Sequence, residues 1–241
     1  MYPDDSVQFL VEPWWIPAEG AQIQRGRLIN TLVPYPDMKP HRLVPEGRGD
    51  DARQHQRALF RIEEFRIAEP PQVAGVLPVA GLPLHQGESY VVRRGKVRPV
   101  LVLSTGGPEV ARAQGAARWQ TSHTLIIAPF YGADVGGTRG GWHPAFVERI
   151  RRAEYPQYVW DKLPITGSTE SILRLDHIFA LGADPAGYYH YPFQLSPDAL
   201  TLMDDWLGWL FTSYLDPESV LGMVRSELSR LQGGAGTSST P

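Results

Sequence analysis

Apolar residues gather in short runs through the middle of the chain and in helix-spaced stripes near its C-terminal end. Val100-Leu-Val-Leu103 is a continuous apolar run, entered through Pro99 and a basic turn, Lys96 to Arg98. A proline can open a strand without removing an interior ladder bond, so this reads as a buried strand. Thr124–Ala128 is a second apolar run and ends in Pro129. Glu170–Phe179 alternates apolar and polar residues, which predicts one half-buried strand over its whole length. Gly87–Val92 predicts a further strand, joined by the tight turn Val92–Lys96 to the strand that follows. Two weaker pieces are Gln22–Leu32 and Ala58–Ile67; the second fits a strand or one to two helical turns.

Helical spacing appears three times. Pro144–Ala153 predicts a short helix with Phe146, Val147 and Ile150 inward and Arg149, Arg151 and Arg152 outward. Residues 196–214 predict a longer one, opened by Ser196 as N-cap and Pro197 at the first position. Its apolar face is Leu200, Met203, Leu207, Leu210 and Phe211, with Trp206 beside it. Pro217–Leu231 predicts another, with Val220, Leu221, Val224 and Leu228 on one side.

These elements suggest three segments. Residues 1–80 form a proline-rich N-terminal extension, in which Pro13, Pro17, Pro34, Pro36, Pro40 and Pro45 rule out long helices. Trp14-Trp15 in that extension suits a core plug or a partner contact. Residues 81–232 hold the strands and C-terminal helices, and 233–241 read as a low-complexity, disordered tail. Pro70 to Pro83 reads as a linker or an extended strand, and Gly136–Gly141 as a flexible tip. That tip lacks the Gly-Lys-Ser/Thr of a phosphate-binding loop.

Composition narrows the class. The chain has 241 residues, 42% hydrophobic and 20% charged, which suits a globular protein. It has no cysteine, so disulfides and thiolate metal sites are excluded. No His-x-x-x-His or carboxylate spacing marks another metal site. No run approaches a membrane span, and the N-terminus lacks the pattern of a signal peptide. The net charge of −3 is uneven: −2 over 1–80, +3 over 81–194 and −4 over 195–241. The basic surplus coincides with the strand-rich segment, but is too small for a duplex-binding protein.

The order Gly87-Glu88, Lys96-Val-Arg98-Pro-Val, a strand ending Pro129-Phe-Tyr131, and a strand carrying Asp176-His177 resembles the PemK/MazF-like toxins of bacterial toxin–antitoxin pairs. The resemblance covers about residues 85–213. It implies a mainly β fold with C-terminal helices, an SH3-like (CcdB/PemK-type) barrel preceded by the N-terminal extension. It implies metal-independent cleavage of single-stranded RNA in the cytoplasm, with no cofactor. An antitoxin protein and a second copy of the chain are the implied partners, and no membrane is involved.

Residue by residue, the family's arginine maps to Arg98, whose planar fork suits a phosphate. Its threonine maps to Tyr131, which keeps a hydroxyl but carries it farther out on a rigid ring. The Asp-Gln pair becomes Asp176-His177, and His177 can act as acid or base near neutrality. Arg98, Tyr131 and His177 are thus the catalytic candidates, and Lys96, Arg94 and Asp176 the substrate-binding ones. His123, His143, His190 and Asp134 are weaker candidates. The same lineage allows an inactive barrel that binds nucleic acid or protein. It also allows a gyrase-directed toxin acting through Trp206 and Trp209.

Overall fold

A computed structural model describes all residues except 1, 49, 52, 55–56, 69–86, 109, 118–119, 134–140, 168–169 and 236–241. In chain order the elements are α1 (Val7–Leu10), β1 (Trp15–Pro17), β2 (Arg27–Pro34), β3 (His41–Arg48), β4 (Ala58–Glu64), β5 (Tyr90–Val92), β6 (Gly95–Ser104), β7 (Thr124–Gly132), α2 (Pro144–Arg151), β8 (Tyr158–Lys162), β9 (Glu170–Arg174), β10 (Phe179–Gly182), β11 (Tyr188–Leu195), α3 (Pro197–Thr212) and α4 (Val220–Ala235). The fold is mainly β. Two compact units result: Met1–Leu32 with Val97–Pro241, and Val33–Lys96. The expected boundary near residue 80, the 70–83 linker, most of the Gly136–Gly141 tip and Asp134 lie outside the described residues.

The smaller unit carries an antiparallel sheet ordered β4-β3-β5. Within the 58–67 stretch, Ala58–Glu64 is therefore a strand, β4, rather than helical turns, and it ends three residues early. Arg42 on β3 pairs with Glu63 on β4 at 2.7 Å, and Arg61 bridges Glu63 and Glu46 at 2.7 and 2.8 Å. The Gly87–Val92 piece joins this sheet, since β5 pairs with β3. Alternation identifies a strand but not the edge it will join, which is why the sequence placed it beside β6.

The larger sheet runs β1-β11-β2-β6-β7-β9-β8, with β10 also on β7. Val100–Leu103 and Leu125–Ala128 are neighbours in it, paired antiparallel through Val100↔Pro129, Leu101↔Ala128 and Val102↔Ile127. Both strands are buried along these stretches, with Val100, Val102, Ile127 and Ala128 at 0% exposure. This explains their unbroken apolar runs.

The sheet curls until its two end strands meet. Trp15 on β1 donates its indole N–H to Asp161 on β8 at 3.1 Å. The same carboxylate also accepts from the Trp14 indole at 3.2 Å, from the Lys162 amide at 2.6 Å and from the Tyr2 hydroxyl at 3.4 Å. The tryptophan pair is thus a core feature: Trp14 is 1% exposed and packs with Leu101, Phe130 and Leu173.

Helix α3 lies on the same core, capped as expected by the Ser196 hydroxyl accepting from the Ala199 amide at 3.2 Å. Its buried seam is Ala199, Leu202, Met203 and Trp206, one residue out of phase with the expected face. Phe211 is 74% exposed. Burying Trp206 removes roughly 150–250 Å² from water, and that gain sets the helix rotation. Trp206 is therefore core, not the exposed contact surface that a gyrase-directed reading needs. Trp209 lies under Arg225, 4.5 Å from its guanidinium carbon. Helix α4 adds Leu221 and Leu228 to the core and runs to Ala235, past the expected break at 233. Among the described residues, no helix is long and apolar enough to cross a membrane.

The closure has a pH signature. Burial pushes the Asp161 carboxyl up to about 7, although the Trp15, Lys162, Trp14 and Tyr2 donors pull the other way. The unfolded chain releases that proton near its ordinary value of 3.8. Between these values the folded protein holds the extra proton, so stability falls as pH rises through the window. The limiting slope is about 1.4 kcal/mol per pH unit. Thermal unfolding followed across this window should show a declining midpoint. Asp161→Asn, which cannot ionise, should flatten the decline; an unchanged slope would assign it to other groups.

Candidate active site

The β6–β7 register positions the first two candidates. Continuing Val100↔Pro129 outward by two residues sets Arg98 across from Tyr131. The Arg98 guanidinium carbon lies 4.4 Å from the centre of the Tyr131 ring. Stacking engages the face of the guanidinium and leaves its in-plane N–H edges for hydrogen bonding.

The third candidate arrives through a break in the next ladder. Strand β9 pairs with the end of β7 through Phe130↔Leu173 and Tyr131↔Ile172. Strand β10 pairs with its start through Phe179↔Ile127 and Ala180↔Ile126. Six residue steps separate Leu173 from Phe179, but only three separate Phe130 from Ile127, so three extra residues leave the ladder. They form the 3-10 turn Leu175–His177. The strand expected over Glu170–Phe179 is thus two strands with a turn between them. Pro129 sits on β7 at the break, where it has no N–H to give to a continuing ladder.

The turn buries Leu175 and turns Asp176 and His177 outward. His177 Nδ1 is 2.9 Å from Tyr131 Oη, and the two rings meet edge to face with centres 5.5 Å apart. Arg174 Nη2 is 2.7 Å from His177 Nε2. Asp176 accepts two hydrogen bonds from Arg174 at 2.6 Å each. Burial, the largest single influence, pulls the Arg174 pKa down, but the Asp176 contacts together with Tyr158 and Tyr131 leave the net shift upward.

Around Arg174 stands an aromatic wall. Its guanidinium carbon lies 5.1 Å from the Tyr158 ring centre, 5.8 Å from Trp142 and 5.9 Å from Tyr131. Trp142 stacks on Phe146 of α2 with centres 5.7 Å apart. Behind them Val147, Ile150, Trp160 and Ile172 form a second small core. The excursion between β7 and β8 is therefore a packed support for one side of the site.

Four of the sequence candidates converge: Arg98, Tyr131, Asp176 and His177. Lys96 and Arg94 fall in the smaller unit, where Arg94 lies 6.0 Å from the Tyr35 ring centre. His123 is exposed at the start of β7, His143 precedes α2, and His190 is on β11. Burial lowers the His190 pKa, with a smaller push from Arg27. Arg174, Trp142 and Tyr158 were not expected. Arg174 and Asp176 carry opposite charges two residues apart, the spacing of one strand face, and that signal is present in the sequence. Nothing local marks Trp142 or Tyr158, because their partners are distant in the chain. Among the described residues, no group of three His, Asp or Glu side chains could hold a metal.

Chemically, the cluster joins a permanent cation, a phenol and an imidazole in one contact chain. That set can hold an anionic oxygen at Arg98 and manage a proton at Tyr131 and His177. Comparison with family models, curated proteins and solved structures finds no match to this chain.

The contacts predict graded stability effects. Tyr131→Phe keeps the ring under Arg98 and loses the bond to His177, at a cost of about 0.5–1.5 kcal/mol. Tyr131→Ala also loses the ring and its cation–π contact, so it should cost at least ~2 kcal/mol more. Urea midpoints of the two variants give the comparison; equal values would mean that the Arg98–Tyr131 contact contributes nothing.

Proposed function

We propose that this chain is a PemK/MazF-like, metal-independent endoribonuclease that cuts single-stranded RNA, built on an SH3-like (CcdB/PemK-type) barrel. The observation that carries the reading is the Arg98–Tyr131–His177 contact chain, with its 4.4 Å cation–π and 2.9 Å hydrogen-bond links. The three residues come from separate strands and loops, yet are the ones the family resemblance selects.

In this reading a ribose 2′-hydroxyl attacks the neighbouring phosphorus. Its proton leaves to a base as the P–O2′ bond forms. The P–O5′ bond breaks, and the departing 5′ oxygen takes a proton. The products are a 2′,3′-cyclic phosphate and a 5′-hydroxyl. Arg98 holds the non-bridging oxygens while negative charge grows on them, and the Tyr131–His177 pair serves the proton transfers. RNA supplies its own nucleophile, so the step requires no metal-bound water. The +3 surplus over residues 81–194 favours an anionic partner, such as a phosphate chain, over a basic one in that segment. A cytoplasmic toxin of this kind would pair with an antitoxin and with a second copy of itself.

One observation favours a second reading. The Tyr131 ring covers one face of the Arg98 guanidinium at the position where the family carries a threonine. That departure suits an inactive barrel that binds RNA without cutting it.

The two readings separate in one assay. Purified protein is incubated with single-stranded RNA in EDTA, and product ends are identified. The nuclease reading expects cyclic phosphate or 3′-phosphate ends, and Arg98→Ala should slow cleavage by roughly 10²–10³. Equal rates for wild type and Arg98→Ala would remove this chemistry. Binding without cleavage, with cleavage created by Tyr131→Thr, would establish the second reading.

A further inference from the structure

Arg174 belongs to none of the roles above, yet it touches the one group whose protonation pattern matters. A guanidinium has N–H donors and no acceptor. Its Nη2 approaches His177 Nε2 at 2.7 Å, so Nε2 is the accepting, unprotonated nitrogen. A neutral imidazole then carries its proton on Nδ1. That N–H faces Tyr131 Oη at 2.9 Å and donates to it. The other tautomer would aim N–H at N–H across the Arg174 contact, and so would an imidazolium.

Arg174 is itself held. Nε and Nη2 both bond Asp176, each at 2.6 Å, which is the paired fork geometry that resists rotation. Nη2 has two hydrogens, one for Asp176 and one for His177. Tyr158 is the direct ladder partner of Arg174 and its ring lies 5.1 Å away, with Trp142 at 5.8 Å. The stem is thereby confined as well as the head.

We infer that Arg174 is a positioning residue: gripped by Asp176, it holds His177 as the neutral Nδ1–H tautomer and makes it a hydrogen-bond donor to Tyr131. Tyr131 Oη is the acceptor of that bond, so the phenol keeps its own proton directed away from the imidazole. A phenolate formed there would gain from the Nδ1–H bond and from the Arg98 charge beside its ring. Within the nuclease reading, on which this consequence rests, Tyr131 is the acid of the pair and His177 its support.

Nitrogen-15 NMR of the imidazole side chains tests the tautomer without RNA. His177 is assigned by its loss in His177→Gln, at about pH 8 where an ordinary imidazole is neutral. Wild type should show a protonated Nδ1 and a bare Nε2; the reverse pattern overturns the inference. Arg174→Met should release the ring to a mixture of tautomers, and an unchanged pattern also overturns it. Arg174→Lys, which keeps charge without the fork, serves if the Met variant does not fold, and has the same expected outcome. In RNA cleavage, Arg174→Lys should lower kcat by about 10²-fold with little change in KM. A wild-type kcat despite a released tautomer would overturn the catalytic consequence. If wild type cuts no RNA, the nuclease reading and that consequence fall together, while the tautomer is decided by the NMR alone.

Discussion

A single buried carboxylate joins the two ends of the larger sheet. Asp161 is 2% exposed and receives donors from residues 2, 14, 15 and 162. A sheet ordered from β1 to β8 would otherwise present two open edges, each a row of unpaired backbone groups. Side-chain bonds from Trp14 and Trp15 bring those edges together where no ladder does. The cost is a carboxyl whose charged form is disfavoured by burial, and four donors offset part of it. The same donors anchor the N-terminal residues, and the Gln8 side chain adds a bond to the Trp160 carbonyl.

The closure reaches the site through one strand. Strand β8 pairs with β9 so that Asp161 lies across from Ser171 and Tyr158 across from Arg174. Fixing one end of β8 in the core therefore fixes the other end beside the cation that contacts His177. The second core, around Trp160 and Ile172, pins the middle of the same strands. Strands β6, β7, β8 and β9 carry Arg98, Tyr131, Tyr158 and Arg174, and the 175–177 turn carries Asp176 and His177. That irregularity is what makes the site possible. In an unbroken ladder residue 177 would continue along β7, well past its Tyr131 end; the three extra residues turn it back toward that phenol.

Charge in the cluster is balanced rather than massed. Arg174 is neutralised by Asp176, Arg149 and Arg152 both meet Glu154, and Arg151 meets Asp5. The Arg151, Arg152 and Arg174 side chains are half-buried in these pairs, whereas that of Arg149 is exposed and its pair contributes little to stability.

Local pattern was enough for strands β6 and β7, helices α2 and α3 and the α3 cap: apolar runs, helical spacing and a Ser-Pro start. Arg98, Tyr131, Asp176 and His177 became candidates through the family resemblance, not through periodicity. Which strands became neighbours depended on contacts between distant stretches, and these sent β5 to the smaller sheet and brought Arg174, Tyr158 and Trp142 together. Such contacts also decided the rotation of α3, because Trp206 outweighed the aliphatic stripe. The break in the stretch 170–179 leaves only a faint local mark: Leu173 and Leu175 alternate with Arg174 and Asp176, but His177 and Ile178 then exchange faces. Where the ladder can stop is set by Pro129, on a distant stretch of chain whose missing N–H faces the break only once β7 has found its neighbours.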